Sequence, residues 1–281
     1  MIMPSLKSTA ELITLPTYTE ASIHASLNSK IGSSLVWIVV EGEDDVDIYE
    51  PLFNAENTKV MSSLDENGER GCEKVEKIVS NIRRDKPSAF IIGIRDKDYT
   101  GYEIPPLAFS DGIFTTDKRD IEMQILSSDK VRKAISSWDC NFPVVWSYCL
   151  KPARFLGYLR IYNHVGNKGL GFKRKLKQNK YWDSLNSCLV PDWKDRVIAL
   201  FSDKIDEKDL NSFIHQKNLE KESDWDICRG HDLINILQYR DAKYNCIPSI
   251  MLANYDRDEF SKSNLYKNLL SWSVSVSKQI F

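Results

Sequence analysis

An α/β fold is predicted: a mostly parallel sheet flanked by helices, followed by a largely helical C-terminal region. Two runs carry the prediction, LVWIVV at 35–40 and AFIIGI at 89–94, each apolar throughout and rich in β-branched side chains. Continuous runs of this kind belong to strands buried on both faces, as in parallel sheets. Between them, CEKVEKIVSNIRR at 72–84 places Val75, Ile78, Val79 and Ile82 at helical spacing, with charges on the other side. Strand, amphipathic helix, strand is the repeating unit of a sheet covered by helices.

The elements follow in order. Residues 1–34 form a lead-in. The strand at 35–40 is ended by Glu41-Gly42, and 45–53 (DVDIYEPLF) suits a helix. A second strand is expected at 57–61, the amphipathic helix at 72–84, a strand at 89–94 and a shorter one at 112–116. Thr116 or Asp117 is placed to cap a helix over 119–127, where Ile121, Ile125 and Leu126 make an apolar stripe. Past residue 130 the pattern becomes longer, helical and Lys-rich, with helices expected at 129–138, 146–162, 207–220, 231–241 and 262–280. The chain thus divides into the lead-in, an α/β domain at 35–130 and a helical, partly basic region at 131–281.

Composition narrows the function classes. Of 281 residues, 42% are hydrophobic and 28% charged, as in an ordinary soluble globular protein. No run approaches the roughly 20 apolar residues of a membrane helix. The N-terminus lacks the basic stretch and apolar core of a secretory signal. The six cysteines are scattered without a C-x-x-C pair, which speaks against a zinc cluster or disulfide framework and fits reduced thiols in the cytoplasm. The net charge of −2 conceals an asymmetry: residues 1–130 hold 14 Lys+Arg against 23 Asp+Glu, whereas 131–200 hold 13 against 4. An acidic half beside a basic middle is the pattern expected of a metal site next to a phosphate-binding surface.

The acids follow the strands. The first run ends in Glu41-Gly42-Glu43-Asp44-Asp45, the second in Arg95-Asp96-Lys97-Asp98, and the third near Asp117, with Asp120 and Glu122 behind it. In open α/β sheets functional groups gather beyond the carboxyl ends of the strands. Carboxylates converging there repel one another, and a hard divalent cation such as Mg²⁺ offsets that repulsion. In an extended segment Asp96 and Asp98 point to one side, so both reach one ion. Asp45 lies four residues after Glu41, where a strand-to-helix turn returns it to the same place. Glu43, Asp44 and Asp120 are expected to be solvated acids near helix starts. A lone D-x-D is weak evidence. Apolar strand, E-G-x-x-D, helix, apolar strand and D-x-D in series are far more specific.

With VVEGEDD and FIIGIRDKD in place, residues 35–127 resemble the Toprim fold of topoisomerases, primases and OLD-type nucleases. IVVEGEDDVDIYEPLF is similar to the OLD-like branch, and the order of parts resembles the nuclease subunit of the PARIS anti-phage system. Arg229-Gly230-His231-Asp232-Leu233 is reminiscent of that group. The resemblance implies a Toprim-like catalytic domain acting as a Mg²⁺- or Mn²⁺-dependent endonuclease. Glu41 would be a metal ligand or general acid/base, Asp45 would help hold a second ion, Asp96 and Asp98 would be the metal-binding pair, and Glu122 a further ligand or an orienting group. It also implies a toxic defence effector cutting RNA, with tRNA as substrate, and restraint by an ATPase partner or an oligomer switch. A topoisomerase would need a DNA-gate domain and a primase a zinc domain, and neither is legible. The alternatives are an OLD-like DNA nuclease and a non-catalytic module that binds nucleic acid and metal.

The basic middle supplies candidates for nucleic-acid contact. Lys168, Lys173, Arg174, Lys175 and Lys177 are interleaved with Tyr162, Phe172, Tyr181 and Trp182; basic groups contact phosphates and rings stack on bases. The bland alternative is a solvated loop leading into a charged helix. Lys151 and Arg154, at an expected helix start, are further candidates. No P-loop and no G-x-S-x-G elbow is present. Among the four histidines only His231, within Gly230-His231-Asp232, is a candidate accessory group at the phosphate, against the alternative of a plain helix cap.

Overall fold

Every residue from Val36 to Val40 is buried, as a strand covered on both faces requires. The structure, a computed structural model, describes residues 18–63, 71–103, 111–172, 182–183 and 188–281. The described elements are helices α1 (Tyr18–Leu27) and α2 (Lys30–Ser34), strand β1 (Val36–Val40), α3 (Glu43–Tyr49), β2 (Thr58–Ser62), α4 (Cys72–Asp85), β3 (Phe90–Arg95) and β4 (Ile113–Thr115). Then come α5 (Ile121–Ser127), α6 (Asp129–Trp138), α7 (Phe142–Gly166), the short strands β5 (Trp182–Asp183) and β6 (Cys188–Leu189), and α8 (Trp193–Ala199). The chain closes with α9 (Glu207–Gln216), α10 (Asp224–Ile227), α11 (Gly230–Arg240), α12 (Ile247–Asn254), α13 (Arg257–Phe260) and α14 (Asn264–Ser275).

The main sheet has the order β2-β1-β3-β4 and every pairing in it is parallel. Val36 pairs with Thr58 on one side and Phe90 on the other, and Gly93 pairs with Ile113. Because all four strands run the same way, their carboxyl ends emerge at one edge. The expected α/β class, a parallel sheet flanked by helices and followed by a helical region, is the one observed, and it is consistent with a Toprim-like arrangement.

Alternation along the strands separates two cores. Trp37, Val39 and Ile91 meet Val75, Ile78, Val79 and Ile82 of α4 and Ile23 of α1. Val36, Ile38, Val40, Ile92 and Ile94 face the opposite way, into a larger core. A Cβ on Gly93 would lie 2.6 Å from Val75 Cγ1 and 2.8 Å from Ile113 Cδ1, so the close seating of α4 on β3 depends on that glycine. The larger core continues from Val36 through Leu126, Leu156 and Leu237 to Ile280, with no gap at residue 130. Backbone and side-chain bonds tie the ends together: Asn54 N donates to Ile280 O (2.9 Å) and Arg257 Nε to Leu52 O (3.0 Å).

Several boundaries differ from expectation for local reasons. Helix α3 begins at Glu43, because the Gly42 N–H donates to the Asp45 carboxylate (2.8 Å) in a capping arrangement. The cap of α5 is Asp120, not Thr116 or Asp117; its Oδ1 accepts from Met123 N (2.9 Å). Asp117 instead accepts from the first two amides of α14, Asn264 N (2.6 Å) and Leu265 N (2.8 Å), beside its N-cap Ser263. Helix α7 is 25 residues long, so Lys151 and Arg154 lie in its interior, not at a helix start. Among the described residues no helix is long and apolar enough to cross a membrane.

Candidate metal centre

The carboxyl edge of the sheet gathers the acids. β1 delivers Glu41, the first turn of α3 delivers Asp45, the end of β3 delivers Asp96, and the start of α5 delivers Asp120 and Glu122. A cavity of about 190 Å³ is lined by Glu41, Asp45, Asp96, Asp120 and Glu122, together with Asp44, Arg229 and His231 and the backbone of Gly42 and Gly71. Four of the acids are locked by backbone amides, Asp120 by those of Met123 and Gly230. Asp96 N donates to Glu41 Oε1 (3.0 Å), Gly42 N to Asp45 Oδ2 (2.8 Å) and Ile121 N to Asp96 Oδ1 (3.1 Å). The acids are thus oriented by the chain before any ligand arrives.

Their electrostatics record unrelieved crowding. Burial, helped by the charges of Asp98 and Asp45, pushes the Glu41 carboxyl up to about 7 against the pull of the Asp96 amide. Burial pushes Asp45 up to about 6. Asp96 is driven well above the usual carboxylate range, first by burial and then by Asp120 and Glu41. Burial and the neighbouring Glu122 charge raise Asp120 to about 7. Glu122 goes the other way: burial pushes it up, but the hydrogen bond and charge of His231 outweigh this and hold it low. The pair closes at 2.9 Å, His231 Nε2 to Glu122 Oε1, and raises the imidazole above its ordinary value. Beneath the acids, the buried Tyr49 hydroxyl has no hydrogen-bond partner among the described residues, and the charges of Asp96 and Asp45 help to hold it protonated after burial.

Asp98 does not behave as an extended D-x-D predicts. Strand β3 ends at Arg95, and Asp98 has the left-handed φ of 46°. Its N–H donates to Arg119 O (2.8 Å) and its carboxylate lies 3.7 Å from Arg119 Nη2. The two acids therefore diverge. Asp96 turns toward α5, while Asp98 joins Glu41 and Cys72, whose candidate ligand atoms lie within 4.8 Å of one another. Glu41 belongs to both groups. The Cys72 thiol is raised by burial and stays protonated, unsuited to a hard cation.

The roles of four groups were not read from the sequence. Asp120, expected to be solvated, is 3% exposed and its Oδ2 accepts from Gly230 N (2.8 Å). Gly230 is where α11 meets α5: a Cβ there would collide with Glu122 Cβ and lie 2.8 Å from Asp120 Oδ1. Arg229 lines the cavity, and among the described residues its guanidinium has no hydrogen-bond or salt-bridge partner. Its charge reaches Glu122 and His231. Arg119, 2% exposed, lies 3.7 Å over the Tyr99 ring and donates from Nη1 to Ile227 O (3.2 Å). The R-G-H-D stretch was the one available signal for Arg229 and Gly230.

His231 is brought to the acids as a partner of Glu122, and the neighbouring Asp232 is not a cap. It pairs with Arg160 Nε and Nη2 at 2.6 and 2.8 Å. The basic candidates fall elsewhere. Arg154 is engaged internally, by the Asp224 carboxylate and by the carbonyls of Leu219 (2.8 Å), Glu220 (3.0 Å) and Glu222 (2.8 Å). Lys151 Nζ lies 5.6 Å from the Tyr148 ring and Lys168 Nζ 5.0 Å from the Tyr162 ring, both residues exposed. Lys173, Arg174, Lys175 and Lys177 lie outside the described residues. No family model matches the chain, and no curated protein matches it significantly.

Proposed function

We propose that this chain is a Mg²⁺- or Mn²⁺-dependent endonuclease that hydrolyses phosphodiester bonds. The observation that carries the proposal is the convergence of Glu41, Asp45, Asp96, Asp120 and Glu122 on one small cavity, with Glu41 and Asp120 raised to about 7. Acids so placed resist ionising together, and a bound cation would favour their charged forms. The donor set is all oxygen apart from the protonated Cys72 thiol, and the cavity is roomy enough for waters, so a hard divalent ion fits. Glu41, Asp45, Asp96 and Glu122 would hold it, while Asp98, grouped with Glu41 and Cys72 outside the cavity, would serve only a second ion shared through Glu41. When bound, such ions stabilise the charge that develops on the attacking and leaving oxygens of an in-line displacement.

The chain's own groups have separate tasks. Glu41, poised near neutrality and held by the Asp96 amide, can accept a proton from a water at the phosphate. His231, whose protonated form Glu122 favours, would serve as the acid for the leaving oxygen. Arg229 offers its guanidinium to the phosphate. From the resemblance come the finer parts of the proposal: a cytoplasmic, toxic anti-phage effector, tRNA or another RNA as substrate, and control by an ATPase partner or by assembly of copies. DNA is the competing substrate.

The test is cleavage of purified tRNA, single-stranded DNA and plasmid with Mg²⁺ or Mn²⁺, with and without a candidate ATPase, for wild type and Glu41→Gln. Metal-dependent cutting that falls by at least about a hundredfold in Glu41→Gln is expected. Cutting indifferent to Glu41→Gln, or none under any of these conditions, overturns the proposal.

A further inference from the structure

A second cavity, of about 310 Å³, adjoins the acidic one and shares Asp44, Glu122 and His231 with it. Its character is different. Ile48, Ile125, Ile234 and Met251 give it an apolar floor, while Asn235 and Gln238 of α11 bring amides to its wall. On α11, His231, Ile234, Asn235 and Gln238 follow the spacing i, i+3, i+4, i+7 and so share one face. That face begins at the acidic centre and runs about 10 Å away from it, at 1.5 Å per residue. Among the described residues neither amide has a side-chain hydrogen-bond partner. Asp44 and Asp47 of α3 stand on the opposite rim, both exposed.

We infer that this cavity receives the unpaired nucleobase next to the scissile phosphate, and that it favours a base with an amino group at purine C6 or pyrimidine C4, adenine or cytosine. The inference rests on the phosphodiester-cleaving role of the acidic centre. A strand whose phosphate lies at Glu41 and Asp96 carries its neighbouring base within one nucleotide of that point, and the cavity opens there. Aliphatic side chains pack on the faces of a base, and an amide offers a donor and an acceptor to its edge. The rim carboxylates repel a second phosphate but accept hydrogen bonds from an amino group, as acids do from cytosine N4. Uracil presents a carbonyl at that position and is disfavoured. A base can enter such a cavity only from an unpaired strand, because a paired base is held in its stack.

Two measurements test this. First, a randomised single-stranded RNA pool is cut by the wild-type protein with Mg²⁺ and the product ends are sequenced. Adenine or cytosine should exceed uracil by about tenfold at one position flanking the cut, and the bias should collapse in Asn235→Ala/Gln238→Ala. Second, Leu252→Trp, at a position 47% exposed on the lip of the cavity, should lower cleavage at least about tenfold while the Mg²⁺-induced rise in melting temperature stays as in wild type. Metal-dependent cutting without base bias, or a bias that survives the double substitution, overturns the nucleobase cavity and leaves the nuclease intact. Absence of metal-dependent cutting overturns both.

Discussion

Replacing Glu41 by Gln should make the metal-free protein more stable at pH 8, the reverse of what removing a structural ion pair does. Glu41 titrates near 4.5 in an unfolded chain and near 7 in the fold, chiefly because it is buried. Below 4.5 it is protonated in both states and contributes no difference. Between 4.5 and 7 the folded chain binds more protons than the unfolded one, so stability falls as pH rises, and it levels off above 7. At about 1.4 kcal/mol per pH unit, the shift sets a ceiling of about 3 kcal/mol. Glu41 keeps some solvent contact, so about 2 kcal/mol is a fair expectation. Glutamine keeps the oxygen that accepts the Asp96 amide and removes the charge. In EDTA at pH 8, Glu41→Gln should therefore melt about 5 °C above wild type, at about 2–4 °C per kcal/mol for a chain of this size. At pH 5 the difference should shrink. Millimolar Mg²⁺ should raise wild type, by about 2.7 kcal/mol at a hundred times the dissociation constant, and should raise the variant much less. Melting curves at pH 5 and 8 in EDTA and in Mg²⁺ suffice. A Glu41→Gln protein that melts below wild type in EDTA at pH 8 would refute the reasoning.

Gly230→Ala should cost about 3 kcal/mol and blunt the Mg²⁺-induced stabilisation, because its methyl group meets Glu122 and Asp120 where α11 docks on α5; urea unfolding with and without Mg²⁺ reads both. Arg154→Ala should lower stability by about 2–3 kcal/mol, leaving Asp224 and three carbonyls without their donor. Its effect on nucleic-acid affinity, measured by filter binding at two salt concentrations, should be no larger than its loss of folded protein explains.

Glu41, Asp45, Asp96 and Glu122 were legible in the sequence because each follows a local signal, an apolar run or a helix start, and the parallel sheet carries all of those ends to one edge. The course of Asp98 was not legible. A left-handed residue outside glycine leaves no mark in composition, and here it is held by the Arg119 carbonyl. Asp120 looked like a solvated acid because its burial comes from Gly230, 110 positions away. The sheet and the amphipathic α4 could be foreseen from period alone. The short helices α8, α10, α12 and α13 could not, since four to eight residues hold too few turns for a period to emerge.

The charge asymmetry along the chain has a partly structural origin. Two arginines of the basic middle, Arg154 and Arg160, sit six residues apart on α7. Arg154 grips the carbonyls of 219, 220 and 222 and the Asp224 carboxylate, while Arg160 holds Asp232 with two hydrogen bonds. Between those anchors lies the stretch that carries Arg229, Gly230 and His231 to the acids. α7 also touches that stretch directly, since a Cβ on Gly157 would run into the backbone of Ile227. The cationic groups that line the acidic cavity, Arg229 and His231, thus come from the far side of residue 130, on a segment held in place by other cations. Shortening the chain at 130 would remove the Gly230 amide from Asp120 and the imidazole from Glu122, and it would open the larger core that both halves share. The α/β half supplies the ligands together with the buried Arg95 and Arg119, and the helical half adds Arg229, His231 and one wall of the cavity.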